Sequence, residues 1–304
     1  MKAVMYLVKR NILIFMRDRG TVCSSVMSML ITLGLMILFL GNMNIEDIVY
    51  ALEQLGGNRD TAADRANAEY LIMMWTIAGI LLSNTVTVTM TSIGSMIEDE
   101  TRMRLASFYV TPVKRLSIAL GYIFSAWCTA VLMCMITLAA SQGYLAVSGQ
   151  TMLGGTAILK LLGMIALNAF VYAAAGYLTA LFFHSVGAWS GLLAIVGTLV
   201  GFVGAIYLPM SAMPEKVADI LKHLPVLHGA AMMRVVCTKE AVEATFAGAP
   251  AEAAEIFQEK MGITVVMGDG PVPFSAQAGY LFLFGALAVA AAVVISRKKS
   301  LYDR

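Results

Sequence analysis

The chain has 304 residues, of which 59% are hydrophobic and only 13% charged, with a formal net charge of +2. A soluble domain carries about 25% charged residues, so this much apolar surface has too little polar cover, and a water-soluble globular protein is excluded in favour of an integral membrane one. The net charge says little about partners, and no nucleic acid is expected among them; the distribution of charge along the chain says more.

Residues 2–19 carry Lys2, Lys9, Arg10, Arg17 and Arg19 between Val4, Leu7, Val8, Ile12, Leu13, Phe15 and Met16. Apolar positions recur at steps of three and four, which predicts an amphipathic helix over 1–20 lying in the headgroup layer. A cytoplasmic extension of the first span is the competing reading, and Gly20 favours a break between the two. The first span is predicted over 21–40. It is long for a signal sequence, and no small-x-small cleavage site follows it, so it reads as a retained span. An acidic loop, 41–69, comes next, with Glu46, Asp47, Glu53, Asp60, Asp64 and Glu69.

The second span, 70–97, is rich in hydroxyls. Asn84, Thr87 and Thr91 stand at i, i+3 and i+7 and share one helix face. Such groups either bond between helices or line a pathway. Further spans are predicted over 116–147, 157–183, 186–208 and 277–295. The fifth carries Gly187, Gly191, Gly197, Gly201 and Gly204, which suit close helix packing. Before the last span, 209–274 is the one sizeable polar segment, extracytoplasmic in this scheme. It reads as short surface helices around 217–224 and on to Val236, with another over 241–260.

The basic residues fix an orientation. Lys2, Lys9, Arg10, Arg17, Arg19, Arg102, Arg104, Lys114, Arg115, Arg297, Lys298, Lys299 and Arg304 lie at the N-terminus, in the loop 98–115 and at the C-terminus, so thirteen of the 21 basic residues fall on one side. Arg59, Arg65 and Lys160 lie opposite, and the long 209–274 segment is discounted. Six spans with both termini cytoplasmic follow, and the 184–185 turn joins the cytoplasmic side. No internal repeat relates 1–150 to 151–304, which counts against a carrier built of two similar halves.

The loop 98–115 carries Glu98, Asp99 and Glu100 first, then Arg102 and Arg104, and Lys114 and Arg115 last, an order that suits a helix dipole. Leu105, Phe108 and Tyr109 recur at i, i+3 and i+4, and Pro112 ends the helix. An aromatic pair rimmed by charge suits either a groove on another protein or the headgroup layer.

Taken in order, the basic N-terminal helix, six spans, an acid-then-Thr-Pro-Val-Lys-Arg loop and a long outer segment with Pro214, Pro225 and Arg234 resemble a permease subunit of the type-2 family of ATP-binding-cassette exporters. The resemblance implies an all-α integral membrane fold over 1–304, a single permease domain with an interfacial helix over 1–20, a cytoplasmic coupling helix over 98–115 and a re-entrant outer hairpin in 209–274. It implies two permeases, identical or paralogous, with two ATPase subunits that bind ATP and Mg, in a bacterial inner membrane. Docking to the ATPase falls on Glu98, Asp99, Glu100, Arg102, Phe108, Tyr109 and Pro112. The pathway at the dimer axis falls on Asn84, Thr87, Thr91, Gly201 and Phe202. The chain departs from the family's commoner Gly-Thr-Leu-Glu run, carrying Met103 to Ala106 there.

Other classes fare worse. No GxxxxGK[ST] phosphate loop is present, so ATP hydrolysis is expected on a partner, and this chain is not expected to be an enzyme or to hold a cofactor. No Asp or Glu stands mid-span, which disfavours an ion-driven carrier. A membrane hydrolase lacks HExxH and GxSxG. His223 and His228 read as surface helix residues, His184 as a boundary residue, and Cys23, Cys128, Cys134 and Cys237 as packing residues rather than metal ligands. A non-transporting assembly or sensor protein of the same fold is the remaining alternative. The cargo is expected to be amphiphilic: a drug, a lipid or a peptide.

Overall fold

The computed structural model describes residues 2–35, 41–54, 60–105, 113–268 and 270–298. Helix α1 (Lys2–Arg17) buries Leu7, Asn11 and Phe15. These recur every four residues, so one narrow stripe seats the helix, and Lys2, Lys9 and Arg17 are exposed while Arg10 is half-buried. The chain then breaks at Asp18, not at Gly20. The Asp18 carboxylate accepts the backbone N–H of Thr21 at 3.2 Å and its hydroxyl at 2.5 Å, capping helix α2 (Arg19–Leu35). Those bonds, the hydroxyl first, hold the Asp18 carboxyl below the usual carboxylate range. Helix α2 carries the described part of the first predicted span; 36–40 lie outside the described residues.

The acidic loop is largely helical. Helix α3 (Gly41–Gln54) buries Ile45, Ile48 and Leu52 against helix α4 (Thr61–Thr101), which begins nine residues before the predicted second span. Asp60 caps α4 by accepting from the N–H groups of Ala62 and Ala63 at 3.0 and 3.4 Å. Its 41 residues extend about 61 Å at 1.5 Å per residue, twice the ~30 Å hydrocarbon layer. The excess at its N-terminal end is where α3 packs.

Helix α4 is the axis of the molecule. Around it stand α5 (Arg115–Val147), α6 (Gly155–Ala180), α7 (Val186–Val203) and α9 (Pro225–Thr245), while α11 (Phe274–Lys298) packs on α6, and α1 lies along α5. Helix α1 can approach α5 closely because Gly121 leaves room for Leu7; a Cβ there would collide with the leucine side chain. Among the described residues, five helices are long and apolar enough to cross a membrane: α4 to α7 and α11. Helix α7 ends at Val203, five residues before the predicted end of its span.

The segment 209–274 differs most from expectation. A 3-10 turn (Met210–Ala212) and α8 (Glu215–Lys222) lead into α9, bent by 84° from α8. Helix α9 runs through Ala241 to Thr245, so the predicted helix over 241–260 is split, and only α10 (Ala251–Lys260) follows Pro250. Nor does α9 lie on a surface. Ala230, Ala231, Met232, Met233 and Cys237 are buried, and its main neighbours are α4 and α6. His228 is buried with it, its Nε2 2.9 Å from the Lys222 carbonyl and its ring edge-on to Tyr280, so it is no surface residue. A short antiparallel ribbon, β1 (Val266–Met267) with β2 (Gly270–Pro271), precedes α11.

Candidate functional site

The loop after α4 begins in the structure as a charged knot. Arg10 of α1 grips Asp99 with two nitrogens, each 2.6 Å from one carboxylate oxygen. The Tyr122 hydroxyl of α5 donates to Asp99 at 2.6 Å, and Arg104 reaches it at 3.4 Å. The Asp99 side chain is 2% exposed. A bidentate, charge-assisted pair of this kind fixes geometry as well as energy. Asp99 in turn raises the Arg10 pKa above its ordinary value, chiefly through these hydrogen bonds. One turn along, Asn11 donates to the Ser125 hydroxyl of α5 at 3.2 Å and accepts from Arg10 at 3.2 Å. The end of α4, the start of α5 and α1 are therefore held as one unit.

Neighbouring groups extend that unit. Glu100 lies 3.1 Å from Nδ1 of His184, in the turn between α6 and α7. Arg115, the first residue of α5, donates to the Ser296 carbonyl at the end of α11 at 3.2 Å. The parts marked as basic or cytoplasmic in the sequence thus converge at one end of the bundle. Glu98 and Arg102 form an exposed i, i+4 pair at 2.7 Å. Helix α4 ends there, and Met103 takes a left-handed backbone conformation, φ 58°, that favours glycine. Leu105 turns back into the core. Phe108, Tyr109 and Pro112 lie outside the described residues.

The predicted docking residues differ in exposure. Glu98 and Arg102 face outward and Glu100 is turned toward His184, whereas Asp99 is enclosed by its own chain. Sequence reasoning did not find Arg10 and Tyr122 as its partners. Arg10 was one of five basic residues on a helix, and Tyr122 one aromatic within a span, with nothing local to mark either.

The predicted pathway residues are not brought together. Asn84 is buried, and its amide donates to Thr137 of α5 at 2.7 Å, which is the interhelical reading of that face. Thr87 and Thr91 are half-buried and bond back to the carbonyls of Ser83 and Thr87 at 2.9 and 2.8 Å. Thr91 also lines a recess of about 200 Å³ with Ser92, Ser95, Trp189 and Ser190, between α4, α7 and the α1–α2 elbow. Gly201 and Phe202 sit at the far end of α7. There Gly201 lies under Tyr207, and Phe202 meets the same ring edge-on at 5.4 Å.

That far end holds a second construction. Arg234 of α9 is 0% exposed and donates to the carbonyls of Gly204 at 2.9 Å, Ala205 at 2.7 Å and Gly262 at 3.1 Å. Its guanidinium lies 4.6 Å from the centre of the Trp75 ring of α4. Trp75 itself donates to the Met261 carbonyl at 2.8 Å. A cation at the carbonyl end of α7 suits the helix dipole. Arg234 stands within an apolar run, Leu227 to Val236, where a lone charge is a signal in its own right. Among the described residues, no group of three or more His, Cys, Asp or Glu could hold a metal ion.

The family model described as "ABC-2 family transporter protein" matches residues 58–294, which takes in α4 to α11 apart from the last residues of α11 and leaves α1 to α3 outside. No curated protein matches the chain.

Proposed function

The chain belongs to the ABC-2 family of transporter proteins, as a multi-pass permease subunit whose ATPase is a separate partner, and from that premise we propose that it exports an amphiphilic substrate by alternating access. Two permeases, identical or paralogous, pair in a bacterial inner membrane with both termini in the cytoplasm. The partner ATPase binds the surface that follows α4, through Glu98, Glu100, Arg102, Phe108, Tyr109 and Pro112. Asp99 serves from inside, as the tie that passes movement on. The bent α8–α9 pair re-enters the membrane from the outer side. Thr91 in its recess is the favoured pathway residue, with Thr87 beside it.

The observation that carries this reading is the Asp99 knot. A push on the loop after α4 reaches α1 and α5 at once, because Asp99 is tied to α1 by the Arg10 ion pair and to α5 by the Tyr122 hydroxyl, each at 2.6 Å. Helix α4 then carries the movement from Asp99 to Trp75 and the Arg234 clamp. The test uses the permease and its ATPase together in proteoliposomes. Replacing Phe108 and Tyr109 with alanine should leave the complex hydrolysing ATP while transport falls at least tenfold. Transport at the original rate would overturn the docking role.

A further inference from the structure

A second cavity, of about 640 Å³, opens on the flank of the bundle between α6, α9 and α11. That is the size of a small-molecule site. Met164, Leu167, Met232 and Ala278 form an apolar floor. Lys160, Lys239 and Glu240 stand at its rim, all three exposed. Among the described residues neither ammonium has an ion-pair or hydrogen-bond partner. Leu159 and Phe274, beside the groove, are exposed apolar side chains, which suits a flank that meets hydrocarbon rather than water.

The level of the rim follows from helix length. The 26 residues of α6 span about 39 Å at 1.5 Å per residue, against a hydrocarbon layer of ~30 Å. Lys160 is the sixth residue of the helix, within snorkelling reach of the headgroups. Gly163 lies a turn further in and lines the groove with nothing within 4 Å of where its Cβ would be. The opening there is a gap in the protein surface, not a fold of side chains that a larger residue would disturb.

We propose that this groove holds an anionic membrane phospholipid, its phosphate on Lys160 and Lys239 and one acyl chain along the apolar floor. Two ammoniums against one carboxylate leave the rim with a single positive charge, which complements a phosphatidylglycerol headgroup and not a zwitterionic choline one. Glu240 opposes the anion and tunes its hold. The site is separate from the charged knot and from the transport pathway, so it stands or falls without the reading above.

The full-length chain, purified in detergent and mixed with dioleoyl phosphatidylglycerol or dioleoyl phosphatidylcholine, tests this by native mass spectrometry. Phosphatidylglycerol should be retained about tenfold over phosphatidylcholine, the scale of a headgroup held by two lysines. Lys160→Gln with Lys239→Gln should abolish that preference, and Glu240→Gln should increase it. Gly163→Leu should fill the groove and release both lipids at an unchanged melting temperature. Equal retention of the two lipids by the unaltered chain would overturn the proposal. So would undiminished binding by Gly163→Leu, or a lipid-free groove covered by a second copy of the chain.

Discussion

An ionised carboxylate that is almost fully enclosed persists only where donors replace its water. Asp99 has two from Arg10, one from Tyr122 and a longer one from Arg104. Removing either side of the Arg10–Asp99 pair leaves the other without its partner, so the single losses exceed the net worth of the pair. Arg10→Ala and Asp99→Ala should each lower the melting temperature of the purified protein markedly, and the double variant should fall little further. Interaction energies for such contacts run to about 0.5–3 kcal/mol; strictly additive losses would show that α1 and α4 are not coupled here. Tyr122→Phe removes one donor and should cost about 1 kcal/mol. Met103 adds a different strain at the same end, since its Cβ is crowded in the left-handed conformation that glycine adopts freely. The acids and bases of this stretch were legible in the sequence, but their partition was not. Burial of Asp99 beside exposed Glu98 depends on which way α4 faces α5, and a run of three consecutive acids gives no sign of that.

Arg234 acts on elements rather than on a neighbour. It fastens the end of α7 and the start of the loop after α10 to α9, with Trp75 of α4 beneath. Arg234→Met keeps most of the volume but leaves three carbonyls without a donor. The expected loss is roughly 2–5 kcal/mol, read as a large drop in melting temperature, with Arg234→Lys recovering part of it. An unchanged Arg234→Met protein would mean that the carbonyls find other donors. The same region shows where pattern reading reaches its limit. Spans over 116–147 and 157–183 were legible because long apolar runs between turns have one solution in a bilayer. Helix α3 was not, although Ile45, Ile48 and Leu52 have helical spacing, because the acidic residues around them read as a solvated loop. Pattern alone stops helix α9 at Val236 because Cys237 to Thr245 is more polar; its buried face continues through Cys237, Ala241 and Thr245 at steps of four.

At the scale of the whole molecule, the two ends of the bundle are chemically unlike. One gathers α1, the end of α4, the 184–185 turn and Ser296 around ion pairs. The other carries α3, α8 and α10, with Glu46, Glu53, Glu252 and Glu255 among their residues. Lys and Arg close to membrane spans are retained in the cytoplasm, and the rule weighs short loops most. The proposed orientation puts the basic end inward, where an ATP-supplied motor is available, and the acidic end outward. Cysteine labelling in intact cells checks this without any substrate, in a chain whose own exposed Cys23 is replaced by serine. A cysteine at Arg102, 59% exposed, should resist a membrane-impermeant maleimide until the cells are permeabilised. One at Glu259, exposed at the end of α10, should react at once. The reverse pattern would place the knot outside the cell, where no ATPase could push on it, and the transport scheme would fail as a whole. Agreement would put the Asp99 knot on the motor's side of the membrane and the Trp75–Arg234 clamp on the other, as the proposed drive along α4 requires.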